Sequence, residues 1–372
     1  MTDNFPTIPS LNGIRALSVL IVMVSHAGYE SIIPGGLGVT VFFFLSGYLI
    51  TTLLLDEHAR TGSINIRNFY IRRFFRLFPP LLITLAIAYG LLALGLIPGG
   101  ITLGGVLAQI FYLANYFSIY FDIGTTIPGG TVILWSLAVE EHFYIFYPLI
   151  LLGLLSSGVP RRWIGYGLAL LCVLVLIWRI HLVAQPEFLS ARTNFATDTR
   201  IDSIIFGVLL ALWSNPINQP KERSPMTASQ WGIVAAAIGL LIFTLLYRDA
   251  SFRETYRYSL QGIALYPLFY YAVRFHDNFL FRILNFSVIS KIGIWSYSIY
   301  LIHFIVIKFV AAQWGAVADR PIVLFLAAAV VSMCYAAAID TWIDPYFRRR
   351  RRSHTDAGTL TEVRPATLPP QA

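Results

Sequence analysis

Charged residues are scarce in this sequence. Asp, Glu, Lys and Arg make up only 12% of its 372 residues, whereas about a quarter of the residues in a soluble globular domain are charged. No polar stretch between residues 17 and 342 is long enough to form a separate soluble domain. We therefore exclude a soluble protein, and we predict one membrane domain over residues 1–347. Residues 348–372 form a basic tail that is too poor in apolar residues to fold, and we predict that it is disordered.

Cysteine is equally rare, and this argues against a metal site. The two cysteines, Cys172 and Cys334, lie in separate apolar runs without a second Cys or a His at metal-ligand spacing. The net charge of +8 does not indicate nucleic-acid binding, because five arginines stand together at 348–352 directly after an apolar run. Such a run is typical of the cytoplasmic flank of a membrane helix. We predict no metal and no nucleic-acid partner.

Long apolar runs dominate the rest of the chain. A helix needs about 20 apolar residues to cross a hydrocarbon core of about 30 Å. Ten windows meet or approach this length, namely 13–29, 37–55, 79–97, 132–154, 163–183, 200–214, 229–247, 258–274, 289–312 and 320–342. The predicted fold is all-α, a polytopic transmembrane helix bundle with about ten spans in a lipid bilayer. Residues 103–121 are apolar but short and interrupted by glycine, so we predict a re-entrant or interfacial segment there.

Basic residues are concentrated in alternate connections between these windows. The basic connections are 60–76, 161–162, 221–223, 274–291 and the tail, whereas the other connections mix a few basic residues with acids. Because cytoplasmic loops carry the excess of Lys and Arg, the basic set is predicted to be cytoplasmic. Both termini are then cytoplasmic.

Ionisable residues inside a bilayer are costly, and the first of them are Arg15 and His26. Eleven residues of helix separate them, which returns to within ~20° of the same face and rises ~16 Å. A histidine accepts a proton near neutral pH, so His26 is a candidate general base for a hydroxyl. The alternative is structural, with an arginine that reaches the membrane boundary and a histidine hydrogen-bonded within the bundle.

Three arginines precede Pro79. Arg72, Arg73 and Arg76 are spaced so that they can share one side of a helix, and we place the start of the following helix at the prolines. Guanidinium groups bind phosphate through two parallel hydrogen bonds, which indicates a cytoplasmic site for the phosphates of a nucleotide-bearing cofactor. The alternative interpretation is that the three arginines anchor the helix at the membrane boundary, since such an anchor would use the same residues.

The fourth predicted span begins with Trp135 and then carries Glu140, Glu141 and His142 in a row. These three polar side chains cannot all face lipid. Tyr144 follows Glu141 at i+3 on the same face, so we predict a buried polar pair between them. A purely structural network is the alternative interpretation.

Two further segments carry polar residues into apolar runs. The sixth predicted span opens with Arg200 and Asp202, whose charges could line an outer entrance or simply neutralise each other. In the ninth predicted span, Tyr300 and His303 share a helical face. They could hydrogen-bond a substrate or hold helices together.

Taken together, these segments resemble the bacterial integral-membrane acyltransferase family 3, whose members O-acylate cell-surface carbohydrates and some small molecules. The matching segments are Arg15 with His26, Phe42 to Ile50, Arg72 to Pro79, 135–144, 198–202 and 296–303. Six matches in the same order cover nearly the whole hydrophobic chain. One departure is Thr40, because many members have an aspartate there.

The resemblance implies an O-acetyltransferase of the bacterial inner membrane. Its donor would be a cytoplasmic acyl-CoA, with acetyl as the usual acyl group, bound through Arg15, Arg72, Arg73 and Arg76. His26 would act as general base or carry the acyl group, and Glu141 would orient or charge-balance it. The acceptor would be a hydroxyl on a cell-surface carbohydrate, a glycolipid or a secreted small molecule.

For that acceptor we predict contacts with Trp135, Arg200, Asp202, Tyr300 and His303. Two other classes of function stay open from the sequence. A proton-coupled secondary transporter could use His26, Glu141 and Asp202 as a proton relay. A non-catalytic membrane scaffold would explain the hydrophobicity but not the concentration of ionisable groups.

Overall fold

The computed structural model of the protein describes residues 8–219 and 225–350. In these ranges the chain is helical, and its only β-type pairing is one isolated bridge between Gly99 and Pro128. The α-helices are α1 Leu11–Val24, α2 Gly35–Thr61, α3 Ile66–Ala93, α4 Leu103–Ile110, α5 Ala114–Tyr120, α6 Ile123–Thr126, α7 Leu134–Ser156, α8 Arg161–Val183, α9 Ser190–Phe195, α10 Thr197–Trp213, α11 Ala228–Leu246, α12 Ala250–Glu254, α13 Tyr256–Arg274, α14 Phe279–Arg282, α15 Ser287–Gln313, α16 Gly315–Ala318 and α17 Pro321–Ala338. The all-α prediction is confirmed. The predicted basic connection at 221–223 lies outside the described residues.

Every one of the ten predicted windows overlaps a long helix, and eight helices in the described ranges are long and apolar enough to cross a membrane. The two windows without such a helix are 200–214 and 258–274. Helix α10 has 17 residues, which at 1.5 Å per residue is about 26 Å and short of a ~30 Å hydrocarbon core. Helix α13 has 19 residues but includes Arg257, Gln261 and Arg274. Both helices pack within the bundle, and the count of ten spans stays a prediction.

The segment 103–121 folds as two short helices, α4 with 8 residues and α5 with 7. Neither is long enough to cross a bilayer. The break falls at Tyr112, which has a positive φ of 56°, a conformation that ends a helix in a non-glycine residue. The segment therefore does not form one continuous spanning helix, and its re-entrant or interfacial position stays a prediction.

Helix α3 begins at Ile66, well before the prolines, and our predicted helix start at Pro79 is wrong. Asn65 caps the helix, because its side chain accepts a hydrogen bond of 2.9 Å from the Asn68 backbone N–H. Pro79 and Pro80 lie inside the helix. Proline has no N–H, so it cannot bond to the carbonyl four residues earlier, but neighbouring helices support the segment at this depth. The three arginines are therefore helical residues of α3.

Glycines set the closest helix crossings. A Cβ on Gly207 of α10 would lie 1.8 Å from the Phe44 carbonyl oxygen of α2, and a Cβ on Gly47 would lie 2.0 Å from the Ile204 carbonyl oxygen. Helices α1 and α15 also approach closely, because a Cβ on Gly293 would lie 1.8 Å from the Asn12 carbonyl oxygen. Small residues permit such backbone contact in membrane helices. Gly47 and Gly207 therefore let α2 and α10 pack in direct backbone contact.

The last helix extends beyond our predicted domain boundary at residue 347. Helix α17 continues through a π-helical turn at Ile339–Ile343 and stays helical to Arg350. Arg348 reaches back along the helix to Asp340 at 2.9 Å and to Asp344 at 3.6 Å, which ties the first tail residues to the span. Residues 351–372 lie outside the described residues.

Candidate active site

Two histidines from distant parts of the chain meet inside the bundle. His26 Nδ1 lies 3.0 Å from His303 Nε2, and the two rings are parallel, with centroids 5.2 Å apart and an angle of 4° between planes. The Phe304 ring stacks on the other side of His26 at 4.4 Å. His303 is fully buried and its Nδ1 lies 2.7 Å from the Tyr300 carbonyl oxygen. We call this arrangement the histidine pair.

Local backbone geometry brings His26 to this position. Helix α1 ends in a π-helical turn, Ser25–Tyr29, in which Gly28 has a φ of 110°. Glycine adopts such a φ without steric cost. π-turns are often found at functional sites because they shift the direction of side chains on a helix. The turn that holds His26 thus differs from the continuous helix assumed in the sequence analysis.

A cavity of about 90 Å³ lies farther along the same helices. Its polar lining consists mainly of Arg15, Arg73, Arg76, Glu140, Tyr144 and Tyr300. We call it the arginine pocket. Three guanidinium groups face one carboxylate there, so the pocket attracts an anion.

Inside the arginine pocket, Arg73 and Glu140 are both held by Tyr144. The guanidinium of Arg73 stacks on the Tyr144 ring with its carbon 3.6 Å from the ring centre. The Tyr144 hydroxyl donates to Glu140 Oε2 at 3.1 Å and lies 2.8 Å from Ser46 Oγ. The buried Nε of Arg73 has no hydrogen-bond partner among the described residues. A buried donor without a partner is costly, and a bound ligand could satisfy it.

Helix α15 connects the pocket and the histidine pair. Gly293, Ser296 and Tyr300 line the pocket, and His303 follows on the same helix. Ten residues separate Gly293 from His303, which is about 15 Å along the helix. The Tyr300 hydroxyl lies 2.7 Å from Ser136 Oγ and donates to the Ile133 carbonyl at 3.1 Å, which fixes α15 against the start of α7.

Three of the four predicted cofactor residues line the arginine pocket, and Arg72 does not. Its Nη2 lies 3.4 Å from Glu57 Oε2 of α2. Successive residues of a helix point about 100° apart, so Arg72 and Arg73 face different neighbours once α3 runs through this segment. The prediction that Arg72, Arg73 and Arg76 share one side is therefore wrong for Arg72.

The predicted contact between Glu141 and Tyr144 is also wrong. Tyr144 bonds to Glu140, at the i,i+4 spacing, and Glu140 is the carboxylate that lines the pocket. The hydrogen-bond partner of His26 among the described residues is His303, and the prediction that Glu141 orients or charge-balances His26 stays a prediction. A catalytic role for Glu141 stays a prediction.

Arg200 and Asp202 are enclosed rather than placed at an entrance. Their residues are 1% and 0% exposed. Arg179 of α8 binds Asp202 through two hydrogen bonds of 2.9 and 2.7 Å, and Ser259 donates to the same carboxylate at 3.0 Å. The predicted mutual neutralisation of Arg200 and Asp202 is replaced by this Arg179–Asp202 pair. The sequence alone could have indicated a partner for Arg179, because Arg179 is a charged residue inside an apolar run.

Trp135 belongs to the surroundings of Arg200. The Arg200 guanidinium carbon lies 5.6 Å from the Trp135 ring centre and 3.9 Å from that of Tyr258. Its Nη2 donates to Thr40 Oγ1 at 3.1 Å. The predicted acceptor residues thus divide into two groups, with Tyr300 and His303 on α15 and with Trp135, Arg200 and Asp202 in a packed cluster that meets the pocket at Phe43.

These features define a helical membrane bundle with an anion-attracting pocket beside a histidine pair. Comparison with known families gives the class directly, since the family described as an acyltransferase domain matches residues 8–341. The match covers most of the chain, and the chain therefore belongs to that acyltransferase family. The predicted family resemblance is confirmed.

Several curated proteins are similar to this chain. The peptidoglycan O-acetyltransferase OatA of Listeria monocytogenes is 31% identical over 315 residues, which cover 81% of this chain and 49% of the relative. The O-acetyltransferase OatA of Staphylococcus aureus (strain NCTC 8325) is 31% identical over 316 residues, covering 82% and 52%. A proposed O-acetyltransferase of Staphylococcus aureus (strain COL) is 31% identical over 361 residues, covering 92% and 57%. The chain thus spans about half the length of these relatives. No solved structure matches it.

Proposed function

We propose that this protein transfers an acetyl group from cytoplasmic acetyl-CoA to a hydroxyl group of a cell-envelope carbohydrate, a glycolipid or a secreted small molecule. The observation that carries the proposal is the alignment of the arginine pocket and the histidine pair along α15: the pocket extends from Gly293 to Tyr300, and His303 follows Tyr300 by three residues, about 4.5 Å along the helix. Family membership supports acyl transfer as the reaction class. One relative is named a peptidoglycan O-acetyltransferase, which adds cell-wall glycan to the candidate acceptors.

The arginine pocket fits the donor by charge and by size. Its excess of guanidinium groups suits phosphate, which arginine binds through two parallel hydrogen bonds. Its volume of about 90 Å³ is well below the roughly 300–1,000 Å³ of sites that enclose a whole ligand. We therefore place the adenosine outside the pocket, the phosphates on Arg73 and the exposed Arg76, and only the narrow thioester-bearing arm deeper inside.

His26 then acts at the thioester. It takes the proton of the acceptor hydroxyl while the oxygen attacks the thioester carbon, so that a C–O bond forms and the C–S bond breaks. The proton on His26 passes to the departing thiolate. If the acyl group is first carried by His26 itself, an N–C bond to the imidazole forms as the C–S bond breaks and CoA departs as the thiolate. In a second step the acceptor oxygen attacks the acyl carbon, the N–C bond breaks, and the hydroxyl proton passes to the thiolate.

We place the chain in the bacterial inner membrane with both termini in the cytoplasm. The basic connections predicted to be cytoplasmic lie at the helix ends nearest Arg15 and Arg76, which suits a cytoplasmic donor. His26 is near the opposite end of α1. The donor arm would thus enter from the cytoplasm, and the acceptor would reach the histidine pair from the outer side.

The transporter alternative receives less support from the geometry. Its relay would use His26, Glu141 and Asp202. Asp202, however, is bound by Arg179 in a fully buried pair. The hydrogen-bond partner of His26 is His303, so His26 and Asp202 are bound to different partners rather than to each other.

The deciding experiment measures label release from radioactive acetyl-CoA by the purified protein in detergent. Parent and His26→Ala are compared at equal folded amounts. We expect CoA-dependent hydrolysis or transfer in the parent and its loss in the variant. No signal in the parent, together with no binding of CoA, would refute the proposal and favour the transporter.

A further inference from the structure

The tautomer of His303 follows from its backbone contact. Its Nδ1 lies 2.7 Å from the Tyr300 carbonyl oxygen, and a carbonyl oxygen can only accept a hydrogen bond. The proton must therefore be on Nδ1 of His303. A neutral imidazole carries one N–H, so Nε2 of His303 is left as an acceptor.

This tautomer determines the proton on His26. Because Nε2 of His303 accepts, His26 must donate from Nδ1 across the 3.0 Å contact, and Nε2 of His26 carries the free lone pair. The opposite direction would require both nitrogens of His303 to be protonated. That places a cation on a side chain with 0% exposure, which is costly without a partner of opposite charge.

The charged group that faces this pair makes such a cation still less favourable. Lys308 Nζ lies 5.0 Å from the ring centre of Phe304, and Phe304 stacks directly on His26. A positive charge near the pair disfavours a second one on His303.

We propose that His303 is the positioning residue of this site, in addition to any contact with the acceptor. It fixes His26 with a proton on Nδ1 and directs Nε2 of His26 to the reacting groups. The inference rests on the proposed function, and it names the reacting atom in either version of that chemistry. As a base, Nε2 takes the hydroxyl proton. As a nucleophile, the same atom forms the bond to the acyl carbon while the C–S bond breaks, which gives an acyl-imidazolium that keeps the Nδ1 proton and releases CoA as the thiolate.

Two substitutions of similar size separate positioning from packing. In His303→Gln, the amide oxygen can occupy the place of Nε2 and still accept from His26. In His303→Asn, the shorter amide takes the place of Nδ1 and can bond to the Tyr300 carbonyl but does not reach His26. We expect His303→Asn to lower kcat roughly 100-fold, in line with the loss of an oriented base, and His303→Gln to retain most of it.

The Michaelis constant for acetyl-CoA should change little in either variant, because the arginine pocket is intact. Equal kcat values for His303→Asn and His303→Gln would overturn the proposal. Melting temperature and elution from size exclusion in detergent verify that the two variants are equally folded.

A second measurement does not depend on turnover. Imidazole ¹⁵N shifts of the parent protein, labelled at its histidines, report which nitrogen of His26 carries the proton, and His26→Ala assigns the signal. We expect the Nδ1–H form for His26. An Nε2–H form would overturn the positioning role even if acetyl transfer is observed, whereas the Nδ1–H form in a protein without transfer activity would refute only the proposed function.

Discussion

Replacing Arg73 by lysine tests the arginine pocket most directly, because the neighbouring residue provides a matched control. Arg73 lines the pocket and stacks on Tyr144 at 3.6 Å. Arg72 is adjacent in sequence and on the same helix, but pairs with Glu57 of α2. Arg73→Lys and Arg72→Lys therefore make the same chemical change at the same depth, and only one of them changes the pocket.

The size of the expected loss in donor binding follows from the interactions of arginine that lysine cannot form. An ammonium keeps the positive charge but loses the planar fork and the stacking surface of the guanidinium. A hydrogen bond to a charged group contributes about 1.5–3 kcal/mol, so losing one phosphate contact should weaken binding of the donor roughly 10- to 150-fold. Arg72→Lys should leave donor binding within about twofold, since an exposed ion pair contributes little.

The assay is the Michaelis constant for acetyl-CoA together with the dissociation constant of CoA, measured for parent, Arg73→Lys and Arg72→Lys in the same detergent. Both constants should rise for Arg73→Lys only. Equal effects of the two substitutions would refute the assignment of the pocket to the donor. A change confined to the constant for the acceptor would move Arg73 to the acceptor side.

Four further substitutions test other parts of the structure. Glu140→Gln should lower kcat more than Glu141→Gln does, because Glu140 lines the pocket and accepts from Tyr144; kinetics of both variants decide this, and a larger effect of Glu141→Gln would restore the original prediction. Asp202→Asn should reduce stability by roughly 3–5 kcal/mol because it leaves Arg179 without its counter-charge, and an unchanged melting temperature would contradict that reasoning. Gly207→Ala should destabilise the protein, since its Cβ would lie 1.8 Å from a backbone oxygen of α2; an unaltered melting temperature would mean that the crossing relaxes easily.

The helices could be predicted from the sequence because a bilayer restricts a spanning apolar run to very few backbone structures. Backbone groups in hydrocarbon must bond internally, so an apolar run of sufficient length becomes a helix with little competition. Boundaries were less certain where polar residues continue a helix beyond its apolar part. Helix α3 begins at the Asn65 cap rather than at Pro79, and α17 continues past residue 342 because arginine and aspartate residues pair along it.

Contacts between side chains that are far apart in the sequence could not be predicted from the sequence. Hydropathy shows that a charge on Asp202 costs free energy in a membrane. It does not show which of the many basic side chains neutralises that charge. Arg179 of α8 neutralises Asp202, although the apolar composition of α8 does not indicate that it contains a functional residue. The same limit applies to Glu140 and Glu141, where a rotation of about 100° between neighbours decides which carboxylate lines the pocket.

The histidine pair shows why the site depends on one helix crossing. His26 and His303 are separated by 277 residues, and Arg15 and Gly293 lie near the other end of the same two helices. Backbone contact between Gly293 and Asn12 fixes the distance between α1 and α15. Because both helices are rigid over this length, that contact sets the position of Arg15 in the pocket and of His26 in the pair together. On the proposed function, this crossing, which itself carries no reactive group, would couple binding of the donor to orientation of the base.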